Sequence, residues 1–112
     1  MIEKVVRQYL KEKLALPVFL EVPAALYEQF LVVEKTGSTE ENFIQSANIA
    51  VQSYGQSMEE CIELNDRVKI AMRAMTALPK VTACRLERDY NFTDTSSRRY
   101  RYQAIFLITY YA

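Results

Sequence analysis

The chain holds 112 residues, enough for one domain with a real core and too few for two. Its 14 Lys and Arg balance 14 Asp and Glu, so no net field draws it to a nucleic acid or a membrane surface. Half of the residues are hydrophobic, yet there is no His, no Trp and only two Gly. That removes the usual imidazole base, the commonest transition-metal ligand, and the glycines that a phosphate loop needs.

Taken in order, Met1 to Lys13 reads as a helix with Ile2, Val5, Val6, Tyr9 and Leu10 on one side. Pro17 and Pro23 bracket Val-Phe-Leu-Glu-Val, a short strand of the kind that tolerates proline at a sheet edge. A turn through Ala24 and Ala25 leads to a second strand, Gln29–Lys35, rich in β-branched and aromatic residues. Thr36 to Asn42 is the most turn-like stretch and is expected to be a loop. Phe43 to Tyr54 returns as a third strand, with Ala47, Ile49 and Val51 on one face and Ser46, Asn48 and Gln52 on the other.

Ser57 to Leu78 is the longest helical pattern. Ser57 and Glu60 have capping-box spacing, Glu59, Glu60, Glu63 and Asp66 come early, Lys69 and Arg73 come late, and Pro79 stops the run. Met58, Cys61, Leu64, Val68, Ala71, Met72 and Met75 share a face at helical spacing over about 33 Å. Ile70, Ala74 and Ala77 point the other way, a small apolar patch suited to a second contact. A long hairpin follows: Val81–Phe92, a polar tip through Ser97, and Arg98–Tyr111. In the last arm Tyr100, Tyr102, Ala104, Phe106, Ile108 and Tyr110 alternate with Arg99, Arg101, Gln103, Ile105, Leu107 and Thr109; the first set is expected under the long helix.

The order α-β-β-β-α-β-β describes an α+β fold: a mostly antiparallel sheet with helices packed on one side. Val68, Met72, Phe106 and Ile108 are expected to be buried together. Cys61 and Cys84 read as buried reduced thiols. With no signal peptide at the start and no apolar run of about 18 residues, a cytosolic setting is expected. Adjacent carboxylates at Glu40–Glu41 and Glu59–Glu60 suit a solvated loop and a helix N-terminus better than acid–base work. The run Arg98-Arg99-Tyr100-Arg101-Tyr102 mixes cations with aromatics, as single-strand binders do, but on a neutral chain it reads as a hairpin arm with snorkelling arginines. No catalytic residue, cofactor or metal is expected, and the protein is not expected to be an enzyme.

Two segments carry a resemblance. Ile49–Met72 (IAVQSYGQSMEECIELNDRVKIAM) joins a strand to the long helix through Tyr-Gly, and Tyr90–Tyr111 (YNFTDTSSRRYRYQAIFLITYY) is a polar-tipped hairpin with a Tyr-rich closing strand. Together they resemble the small tail terminator (tail-to-head joining or tail completion) proteins of long, non-contractile-tailed bacteriophages, including prophages of Gram-positive bacteria. The resemblance implies a homohexameric ring in the virion at the tail–head junction, assembled in the host cytoplasm. That ring caps the tail tube, ends its polymerisation and offers a surface to a head-completion or connector protein. DNA would pass through the ring without stable sequence-specific binding, and no membrane is involved. Arg98, Arg99 and Arg101 then become candidate assembly residues, with Glu59, Glu60 and Glu63 as their partners on the neighbour and Ile70 as a further candidate interface residue. Gly37, Glu40 and Glu41 are candidates for a loop lining the lumen or facing the tube. Another phage neck protein, or a small ligand-binding regulatory α+β domain, are the alternative readings.

Overall fold

The structure is a computed structural model that describes residues 1–25, 27–94, 96 and 99–111. Helix α1 spans Ile2–Leu14, followed by strands β1 (Val18–Phe19), β2 (Phe30–Glu41) and β3 (Ile44–Tyr54). Helix α2 spans Met58–Arg73, tightens into a 3-10 turn over Ala74–Ala77, and leads to β4 (Val81–Asn91) and β5 (Arg101–Tyr111). The strands form one sheet in the order β1-β2-β3-β5-β4, antiparallel throughout except for the short parallel β1–β2 pair. The fold is α+β with the expected element order.

Both helices cover one face. The side chains of α1 and α2 share a core with Leu31, Val33, Ala47, Ile49, Val51, Ala104, Phe106 and Ile108, and Val68 and Met72 are wholly buried in it. The α2 start follows its sequence: the Ser57 hydroxyl accepts from the Glu60 amide at 3.2 Å. The Glu60 carboxylate accepts in return from the Gln56 amide at 2.8 Å, one residue earlier than a standard capping box places it. At the other end Leu78 is extended, as a residue before proline must be, and the last turn narrows to 3-10 geometry. Tyr9 ties α1 to α2, its hydroxyl donating to the Ala71 carbonyl at 2.6 Å. Val5, expected in the core, is exposed, and Leu14 takes that role one turn beyond the expected helix face.

The proline-bracketed strand is shorter than expected. Only Val18 and Phe19 pair, with Leu31 and Val32, so β1 covers just the start of β2. The stretch read as a loop, Thr36 to Asn42, is instead the outer half of β2, paired with β3 down to Glu41↔Ile44. Thr36 is the extra residue of a bulge between Lys35↔Ile49 and Gly37↔Asn48. The turn proper is Asn42-Phe43, both at positive φ (52° and 65°), the backbone of a type I′ hairpin turn. Asn tolerates that region; a bulky Phe there is strained by roughly 1–2 kcal/mol.

The two hairpin tips lie at opposite ends of the sheet, because Ile44 pairs with Tyr111 while Tyr54 pairs with Arg101. The molecule is correspondingly long, 44 × 25 × 24 Å. Beyond Val33, β2 is exposed except at half-buried Gly37; Lys35 still borders a pocket with Ile2, Glu3 and Val5 of α1, and residues 36–43 run on from there to the turn as an arm.

Candidate functional site: assembly surfaces

The second face of the sheet carries no helix. Phe30, Val32 and Tyr54 form a separate small core there, with Phe19 against it. The Phe30 and Tyr54 rings stack at 4.4 Å, and Phe19 and Tyr27 extend the aromatic group. A polar chain continues across the strands: Tyr54 hydroxyl to Gln52 at 3.5 Å, Gln52 Nε2 to Gln103 Oε1 at 2.8 Å, and Gln103 Nε2 to the Tyr90 hydroxyl at 2.5 Å. The two amides are buried and paired with each other, which is why polar residues are tolerated at those inner positions.

Arg101 belongs to this network. Its Nε donates to the Phe92 carbonyl at 2.6 Å and its Nη1 to the Tyr54 hydroxyl at 3.1 Å. Its guanidinium lies 4.4 Å from the centre of the Phe92 ring. Arg101, expected as a contact to a neighbouring subunit, is engaged within its own chain, where it clamps the base of the hairpin. Arg99 is freer: its guanidinium sits 6.0 Å from the Tyr54 ring, and its backbone bridges to Asp94. Arg98 lies outside the described residues.

The proposed acidic partners are on a different surface. Glu59 and Glu63 are exposed on α2, while half-buried Glu60 is engaged by the Gln56 amide. Ile70 is 66 % exposed, and with Tyr9, Leu14, Ala71 and Ala74 it borders a groove of about 360 Å³ between the two helices. Lys13 and Arg67 stand at its rim; Arg67 Nη2 also donates to the Leu14 carbonyl at 3.2 Å, closing the α1 terminus. Gly37, Glu40 and Glu41 all sit on the β2 arm, not in a loop, and the arm ends in Phe43, 85 % exposed. The sequence reading missed Phe43 because a Phe before Ile44 looks like the start of a strand; its positive φ makes it a turn residue.

One polar cluster escaped the sequence reading. Asp89 on β4 accepts from Lys69 Nζ and Asn65 Nδ2 on α2, each at 2.9 Å, and Lys69 also reaches Asp66 at 3.4 Å. The Lys69 hydrogen bond holds the Asp89 carboxyl below the usual carboxylate range, and the same bond raises Lys69. Cys61 and Cys84 are free thiols, and burial pushes both up to about 11, so they stay protonated and unreactive at neutral pH. Among the described residues no group of three or more His, Cys, Asp or Glu is arranged to hold a metal ion, and no helix is long and apolar enough to cross a membrane. Set against models of known protein families and against curated proteins, the sequence matches none.

Proposed function

We propose that this chain is a structural virion protein, a tail terminator of a long-tailed, non-contractile bacteriophage. Six copies close into a ring that caps the tail tube, ends its growth and presents the face on which the head docks. The observation that carries this reading is the pair of unlike apolar features on separate surfaces of one chain. Phe43 projects at the end of the β2–β3 arm, and the Ile70 groove opens on the helix layer. A ring joins each subunit to the next through two different patches, so one subunit must carry both halves of the contact. Contiguous apolar surface left in solvent marks surfaces of association, and Phe43 lies beside exposed Ile44. The resemblance in Ile49–Met72 and Tyr90–Tyr111 points the same way. On this reading the β2 arm that carries Gly37, Glu40 and Glu41 serves the contact between subunits rather than the lumen. Partners on this reading are further copies of the chain, the tail tube protein and a head-completion protein, with no cofactor and no catalytic turnover.

The test is native mass spectrometry of the purified chain, alone and with tails assembled without their terminator. Six copies, together with tails that stop growing and then accept heads, are the expected result. Binding to DNA-filled heads but not to tails would place the protein on the head side and refute the terminator reading.

A further inference from the structure

We propose that the Phe43 side chain of one copy seats in the α1–α2 groove of the next, forming the head-to-tail contact between subunits. The inference rests on the ring reading above and names its interface. The knob and the socket match in chemistry. Phe43 is the most exposed large apolar residue described, and it is held at the tip against backbone strain at φ 65°. A turn selected only for its geometry would carry Gly at that second position. The groove is open and offers Tyr9, Leu14, Ile70 and Ala74 as apolar walls, and its volume of about 360 Å³ leaves room for one aromatic side chain.

The charges match as well. The knob is flanked by Glu40 and Glu41 on the arm, and the socket is rimmed by Lys13 and Arg67. An acidic collar on the knob and a basic rim on the socket give electrostatic register, and they oppose contacts between two knobs or two sockets. Reach also fits. The knob stands at one end of a 44 Å molecule, clear of the helices, so it can meet a neighbour without disturbing the fold. Knob and groove are different surfaces, so the contact propagates from copy to copy.

The experiment compares sedimentation equilibrium of wild type, Phe43→Gly, Ile70→Arg and the double variant over a wide concentration range, with thermal melts of each. Loss of a central aromatic anchor is expected to weaken association by roughly tenfold or more. Phe43→Gly creates the favoured Asn-Gly turn, so its monomer should melt higher than wild type even as association falls. Ile70→Arg changes an exposed side chain and should fold, while weakening association to a similar degree. The double variant should be little weaker than either single one, because both break the same contact. A wild-type assembly that either single variant leaves unchanged overturns the contact while the ring reading stands. A wild-type chain that stays monomeric throughout overturns the contact, and one that also fails to gather into six copies on tails overturns both.

Discussion

Arg101 offers the sharpest check on how the hairpin is held. Arg101→Ala removes two hydrogen bonds from a charged donor, to the Phe92 carbonyl and the Tyr54 hydroxyl, and a cation–aromatic contact with Phe92. Buried bonds of that kind contribute about 1.5–3 kcal/mol each. Here Phe92 is exposed and its carbonyl can rehydrate, and the Tyr54 hydroxyl keeps its bond to Gln52, so each bond counts for well under half of that. With about 0.5–1 kcal/mol for the ring contact, the net loss comes to about 1.5–2.5 kcal/mol. For a domain of this size that is a fall in Tm of roughly 6–10 °C. Urea melts followed by circular dichroism measure it directly, with the slope of the transition unchanged. Arg101→Lys keeps the charge but not the planar fork, and is expected to lose about half as much. Among the described residues the Arg99 side chain meets only the Tyr54 ring, at 6.0 Å, and Arg99→Glu should cost under about 0.5 kcal/mol. Charge reversal at Arg99 therefore reports on assembly, whereas reversal at Arg101 reports first on the fold. An Arg101→Ala protein within about 0.5 kcal/mol of wild type would refute the clamp.

Two other expectations follow from the core and its polar edge. Met72 is wholly buried, so Met72→Ala should cost about 2–5 kcal/mol in urea denaturation, and a midpoint that does not move would mean that α2 is packed differently. Asp89→Asn should cost about 1–2 kcal/mol at neutral pH, where the carboxylate is charged and bonded to Lys69 and Asn65. Because the folded Asp89 is depressed, its contribution is full above the unfolded carboxylate value and is lost as pH falls through the lower folded value. Lys69 is raised, so its share is full below the ordinary lysine value and is lost only at higher pH. The gap between wild type and Asp89→Asn should thus be flat between about pH 5 and 9 and close in acid. A gap that persists undiminished well below pH 3 would exclude the ion pair as its cause.

The sequence by itself determined the elements whose signals are local. The Ser57 cap, the early acids and late bases, and the stripe from Cys61 to Met75 specify α2 without reference to anything else, since one helix face and two termini contain all the information. Alternation picks out the helix side of β3 and β5, where Ala47, Ile49 and Val51, then Ala104, Phe106 and Ile108, are buried as their spacing requires. Tyr100 of the same alternating set is exposed, however, and Gln103 and Ile105 opposite it are buried as well. Tertiary structure decided what depends on partners far along the chain. Residues 36–41 show no alternation because both of their faces meet solvent; they are a strand only because β3 supplies the hydrogen bonds. Phe43 has the wrong propensity for its turn, so local reasoning assigns it to the strand. Arg101 looks like a free surface cation until Tyr54, distant in sequence, is brought beside it, and Asp89 finds Asn65 and Lys69 only when β4 returns under α2. The knob and the groove likewise come from separate segments, and only the folded chain sets an acidic arm and a basic-rimmed socket on different surfaces of one molecule.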